Sequence, residues 1–366
     1  MGTLEAGFDP TAVLYLARFY VPFDLGTRLA LFYGQYAIAN AFSGVVAYGI
    51  FHIKHPTLKS WQLLFIIQGI LTCILAAVAW VWLPDSPRTA WFLTKEQRVW
   101  VVQRSRSRGG STYSAKGRWI RDGIEVARDW RLWFVLACNI CASVPSTTFS
   151  VFLLLVVQGM GFLSLEANLM SVPPAVCGTV GLCLFARSSD RQQERGHHII
   201  AALGIALFGL VAVVTASTNQ TRYAALCVFL FGSYVSAPLT TAWLTGNTPG
   251  QGRRAWVLGI NGLDNLAGVI GARLFRSEEW PEYRRPLGAT VMYLVAAMAG
   301  YVVYRLALQA VNRKRAIPAR KIGRRNRARG QSEGQIDARW SKAPASTTYE
   351  TDEGRKPSHH TMAAAG

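Results

Sequence analysis

The chain has 366 residues, of which 51% are apolar and 16% charged, with a formal net charge of +19. Seven runs contain no Asp, Glu, Lys or Arg: Leu29–Ile53, Ser60–Pro84, Leu132–Leu165, Ala167–Ala186, Ile199–Thr221, Tyr223–Gly252 and Pro286–Tyr304. A helix needs roughly 20 mostly apolar residues to cross a bilayer, and the few polar residues here could not cover seven such runs in water. The composition therefore excludes a soluble multidomain protein and predicts an all-α polytopic membrane protein.

In chain order, Met1–Asp9 has no basic start and carries Glu5 and Asp9, unlike a cleavable signal peptide. The segment from Pro10 to Ala17 is apolar and then meets Arg18, so hydropathy alone does not make it a span. Spans are predicted over Leu29–Phe51 and Trp61–Leu83. A polar segment, Pro84–Arg131, follows with eleven Lys/Arg and five Asp/Glu. Within it, Thr94 and Gln97 fit a capping box, so a short surface helix to about Arg104 is expected. Six further spans are predicted at Leu132–Val157, Ala167–Ala186, Ile199–Ala216, Tyr223–Leu244, Ala255–Phe275 and Leu287–Tyr304. Beyond Arg305 the chain is polar and basic with no apolar period, the composition of a disordered tail.

The basic charge falls mainly in two places, eleven Lys/Arg in the central segment and thirteen in Ala310–Gly366. Both flank spans, the pattern of residues retained on the cytoplasmic side, and this excludes a nucleic-acid partner. The linker and the tail are accordingly expected in the cytoplasm. All six cysteines lie in apolar runs, so Cys138 and Cys141, although spaced as CxxC, read as small apolar side chains rather than a metal or redox pair. No phosphate loop, no HExxH and no nucleophile–base pair is present, so neither an enzyme nor a cofactor is expected.

Polar residues inside spans are costly in lipid and usually face a packed interior or a watery path. Asn261, Asp264, Gly268 and Gly271 share one helical face, with Asn265 beside it. There Asp264 either carries a proton, pairs with a cation such as Arg273, or lies in a shallow wet part of the bundle, while the glycines allow close helix approach. Asn139, Ser143, Thr147 and Ser150 form a second stripe, predicted to be interrupted at Pro145. Ser233, Ser236, Pro238 and Thr240 invite the same two readings, a substrate path or interhelical hydrogen bonding. Tyr36 and Asn40 are cavity candidates in the first clear span. Asp190, Arg191 and Arg195 sit at a membrane junction, suited to a gate or to ordinary flanking charge.

Several stretches together resemble one family. TLEAGFDPTAVLYLARFY with DLGTRLALFY, WQLLFIIQGI with LPDSPRTAWFLTKEQR, then FLLLVVQGMGF, SSDRQQER, GNTPGQGRRA and NLAGVIGARLF occur in the order seen in major facilitator superfamily transporters, most similarly the fungal anion:cation symporter branch of allantoate- and nicotinate-permease-like proteins. The resemblance implies two six-helix halves that rock about a central site. It also implies that the first three helices are absent, leaving about nine, arranged three plus six. The domains are then residues 1–83 (remnant of the first half), 84–131 (linker), 132–308 (second half) and 309–366 (tail).

The resemblance further implies roles. Glu5 matches a fourth-helix carboxylate linked to proton coupling, with Asp264 the other proton candidate, although a small residue is usual there. Tyr36, Asn40, Asn139, Ser143, Thr147 and Asn265 would face substrate. Asp24 and Arg28, with Asp190, Arg191 and Arg195, would form the cytoplasmic gate. The implied function is proton-coupled symport of a small organic anion, a vitamin-like carboxylate or ureide, by a plasma-membrane monomer whose basic tail meets anionic lipid. The alternative is a non-transporting truncated membrane protein, serving as a scaffold or sensor, or an incomplete gene model.

Overall fold

The computed structural model describes residues 7–51, 59–107, 119–159, 164–248, 250–274 and 284–328. All of its regular structure among these is helical. Among the described residues, six helical segments are long and apolar enough to cross a membrane: Ser60–Trp82, Trp130–Phe149, Met170–Gln192, Gly196–Thr215, Asn219–Asn247 and Pro286–Arg313.

The first two helices are set by their termini. Helix α1 (Phe8–Phe19) carries Asp9 in its first turn, where a carboxylate complements the helix dipole. Pro22 opens α2 (Pro22–Phe51), at the one helical position where its missing N–H costs nothing. Helix α3 (Ser60–Trp82) packs against α2. Its exit is pinned to α1: Tyr15 donates its hydroxyl to the Pro84 carbonyl at 3.1 Å, and Arg18 Nη1 donates to the Asp85 carbonyl at 3.3 Å.

The linker contains two helices, α4 (Lys95–Ser107) and α5 (Trp119–Arg128). The expected capping box is present: Gln97 N donates to Thr94 Oγ1 at 3.3 Å, and Thr94 N donates to Gln97 Oε1 at 3.0 Å. The second block comprises α6 (Trp130–Gly159), α7 (Ser164–Gln192), α8 (Gly196–Thr215), α9 (Asn219–Ser233), α10 (Ser236–Asn247), α11 (Gln251–Asn261), a 3₁₀ turn (Gly262–Asn265), α12 (Leu266–Leu274) and α13 (Arg284–Ala328). Its core includes Phe149, Leu182, Leu203, Leu210, Phe229, Leu230, Leu294 and Tyr301. A smaller cluster of Val13, Ala17, Leu25, Leu29, Ala242 and Leu258 joins α1 and α2 to α10 and α11. Within a bilayer such packing rests on close van der Waals contact rather than on exclusion of water.

Three sequence expectations change. Helix α6 runs unbroken through Pro145, and around the proline Thr147 Oγ1 and Ser146 Oγ donate to the Ser143 carbonyl at 2.7 and 3.0 Å. The interruption falls instead in the predicted span Ala255–Phe275, at the turn Gly262–Asn265. There Gly, Asp and Asn favour turn geometry over helix. Lastly, α13 continues to Ala328, so residues 309–328 are helical rather than disordered. Its 45 residues, at about 1.5 Å each, outrun a bilayer core of about 30 Å.

Candidate functional site

Two polar clusters join the first block to the second. The first lies at the linker end of the bundle, where α7 turns into α8. The turn is tight because Gln193 takes a left-handed conformation with φ 55°, which a glycine would adopt more easily. It folds Arg195 back, 2% exposed, to ion-pair with Asp190 Oδ1 at 2.6 Å. Arg195 Nη2 also donates to the Pro22 carbonyl at 2.7 Å, and its guanidinium lies 5.7 Å from the Phe23 ring. Asp190 Oδ2 accepts from both the backbone N–H and the hydroxyl of Thr27, each at 2.6 Å. The first turns of α2 are thus held by a buried ion pair of the second block.

Gly26 makes that approach possible. A Cβ there would overlap Arg195 Nη1 and lie 2.7 Å from Asp190 Oδ1. Of the five gate candidates, Asp190 and Arg195 meet in the clasp, whereas Arg191, Asp24 and Arg28 are exposed. Arg28 stacks over the Tyr20 ring at 5.0 Å. Pro22 and Thr27 engage the pair through backbone and hydroxyl groups, a contact with no signature in charge spacing.

Two neighbouring networks brace the same end. Buried Glu194 accepts from Arg305 Nε of α13 at 3.3 Å and pairs with His197 at 2.9 Å. On the linker helix α5, Glu125 pairs with Arg121 at 2.9 Å and with Arg253 of α11 at 2.5 Å. These arginines hold the Glu125 carboxyl below its usual range, Arg121 first. Trp256 Nε1 donates to the Trp119 carbonyl at 3.0 Å, completing the dock. A cleft of about 130 Å³ lies beside it, lined by Glu125, Asp129, Arg131, Arg253 and Tyr304 among others.

The second cluster lies mid-bundle at the break between α11 and α12. Asn139 of α6 is fully buried, and its Nδ2 donates to Asp264 Oδ2 at 3.1 Å and to Asn261 Oδ1 at 3.4 Å. Asn261 Nδ2 continues the chain to Thr241 Oγ1 of α10 at 3.3 Å. Asn139 Oδ1 and, one turn along α6, Ser143 Oγ are buried without a hydrogen-bond partner. Asp264 therefore meets an amide rather than Arg273, which is exposed.

From the first block, Asp9 and Tyr33 lie within electrostatic reach of Asp264. Pro10 approaches the same turn, 3.8 Å from where a Cβ on Gly262 would sit. Asn265 is exposed and caps its own turn, donating to the Gly262 carbonyl at 3.0 Å. Gly271 gives the expected close approach, since a Cβ there would overlap Thr148 Oγ1 of α6, whereas Gly268 faces open space. Tyr36 is exposed on α2. Glu5 and the side chains of Asn40 and Ser150 lie outside the described residues.

The Major Facilitator Superfamily model matches residues 1–272. The chain belongs to the Major Facilitator Superfamily. Its relatives include the major facilitator-type transporter hxnP of Emericella nidulans, 32% identical over 79% of this chain and 59% of that protein. The MFS-type transporter efuF of Hormonema carpetanum is 32% identical over 80% and 60%. The high-affinity nicotinic acid transporter of Saccharomyces cerevisiae is 25% identical over 83% and 57%. The chain thus spans about three fifths of the length of the curated relatives it matches. Membership of the superfamily makes it an integral membrane protein of a transporter family rather than an enzyme.

Sequence reasoning found Asp190, Arg195, Asn139, Ser143 and Asp264, which the fold brings into two clusters. It missed Asp9, Tyr33, Thr27, Glu194 and Arg305. A usable signal existed for Arg305, a lone arginine closing the last apolar run, where a charge needs a nearby partner.

Proposed function

We propose that this chain acts in secondary active transport, with proton-coupled symport of a small organic anion by alternating access. The observation that carries this is the pairing of the two clusters: a charge-balanced clasp at one end of the interface between blocks, and an unsaturated polar cluster at its middle. An interface closed at one end around a polar interior is what a rocking transporter needs in one of its two states. In this reading Asp264 carries the proton, Asn139 and Ser143 meet the substrate, and the clasp of Asp190, Arg195 and Thr27 closes the cytoplasmic side. The organic-anion class is supported by the resemblance to nicotinate-permease-like proteins and by the nicotinic acid transporter among the relatives.

The monomer sits in the plasma membrane with linker and tail in the cytoplasm, the basic tail against anionic lipid. The test is uptake of labelled nicotinic acid into proteoliposomes holding this chain. Uptake driven by an inward proton gradient and abolished by a protonophore is the expected result. Uptake indifferent to the gradient, or none, overturns it.

A further inference from the structure

The mid-bundle cluster is rich in acceptors. Asp264 sits in the turn between α11 and α12, and Asp9 approaches it from α1, beside the contact of Pro10 with Gly262. Among the described residues the charged group that acts on Asp264 is thus another carboxylate. The groups that reach Asp264 from other elements are neutral: Tyr33 of α2 and Tyr301 of α13 act electrostatically, the latter with its hydroxyl bonded to Thr240, and the Asn139 amide of α6 bonds it directly. Cys138 and Cys141 of α6 lie within electrostatic reach of Tyr301. Asn139 Oδ1 and Ser143 Oγ remain buried without partners on side chains that are 0% and 4% exposed. These atoms stand ready to bond a ligand, but the site offers an organic anion a carboxylate where a cation would be expected.

One proton resolves this. Two carboxylates within hydrogen-bonding distance cannot both stay ionised, and the pair holds one proton between them. The resulting O–H···O⁻ bond is short and strong. We propose that an organic acid binds here only together with a proton held between its carboxylate and Asp264, so that the substrate site and the coupling site are one. This rests on the symport reading above. The proton comes from water on the open side, and no bond other than one carboxyl O–H forms. The Asn139 amide keeps its bond to Asp264 Oδ2, while the Ser143 hydroxyl donates to the ligand's free oxygen. Asp9 acts as a positioning charge beside the site.

The test is calorimetric titration of the purified full chain with nicotinic acid, across the neutral pH range and in buffers of different ionisation enthalpy. The wild type should take up one proton per ligand, with the apparent Kd rising about tenfold per pH unit. Nicotinamide, which lacks the carboxylate, should bind without proton uptake. Asp264→Asn should bind nicotinic acid with no proton uptake and a flat pH profile. Asp9→Asn, at an exposed position, should keep the proton but move the midpoint to lower pH. Wild-type proton uptake retained in Asp264→Asn would overturn the proposal. If that variant does not fold, an unshifted midpoint in Asp9→Asn overturns it instead. No binding of the acid by the wild type at any pH would bring down the symport reading itself.

Discussion

The two contacts between blocks are built on opposite terms. At the clasp every charge has its complement: Arg195 meets Asp190 and the Pro22 carbonyl, and Asp190 takes two hydrogen bonds from Thr27. At the centre, buried Asn139 Oδ1 and Ser143 Oγ have no partner, and Asp264 lies within electrostatic reach of Asp9. A buried ion pair resists separation of its partners, whereas unsatisfied buried polar groups are expensive and persist where a ligand completes them. In the proposed function this difference separates closing the interface from recognising a solute, at different depths.

Breaking the clasp should have the largest effect. Arg195→Ala leaves Asp190 buried without its ion-pair partner, a loss of about 3–5 kcal/mol for a buried pair. It should show as a lower melting temperature in detergent and as loss of uptake. Arg195→Lys should not rescue it, because Arg195 reaches Ser189 Oγ through Nη1 as well as Asp190 and the Pro22 carbonyl through Nη2, a planar two-nitrogen fork that an ammonium lacks. Asn139→Ala at the centre should instead impair substrate binding far more than melting, the opposite ratio.

A matched pair of glycines sharpens the same point. Gly26→Ala should weaken the clasp, because its Cβ would overlap the Arg195 guanidinium, while Gly49 of the same helix faces open space. Gly49→Ala should be neutral or stabilise by about 0.5–1 kcal/mol, the ordinary helix gain. Equal melting shifts for the two variants would remove the clasp's claim on α2.

The linker dock depends on pH. Arg121 and Arg253 depress the Glu125 pKa, so its contribution is present above the ordinary carboxylate range and lost as pH falls through the depressed folded value. Protease sensitivity of the linker should rise under acid, and Glu125→Gln should be sensitive already at neutral pH. Gln193→Gly should give the smallest change, a gain of at most about 1 kcal/mol from relief of the left-handed backbone.

The spans and linker were legible because apolar run length and charge placement are local properties of the chain. Asn139 and Asp264 were legible as polar residues in apolar runs, but their bond joins positions 125 residues apart, which no helical spacing encodes. The break after Asn261 was masked by hydropathy, since Leu263 and Leu266 keep the run apolar while Gly262 and Asp264 turn the backbone. Pro145 misled in the other direction, because hydroxyls at Ser146 and Thr147 satisfy a carbonyl beside the proline. Thr27 escaped notice because half of its contact is backbone, and Asp9 because its counterpart arrives only through packing of α1 on α11.

In the proposed function the clasp opens when the middle of the interface is filled. Arg28 on α2 and Arg191 at the end of α7 are both exposed and flank the clasp. Spin labels at these positions, with exposed Cys73 replaced by serine, would report the separation of the blocks by pulsed electron–electron resonance. A second, longer distance that grows on adding nicotinic acid at low pH, and dominates in Asp190→Asn without it, is the expected result. A single distance unmoved by acid, ligand or the Asp190 substitution would contradict the account.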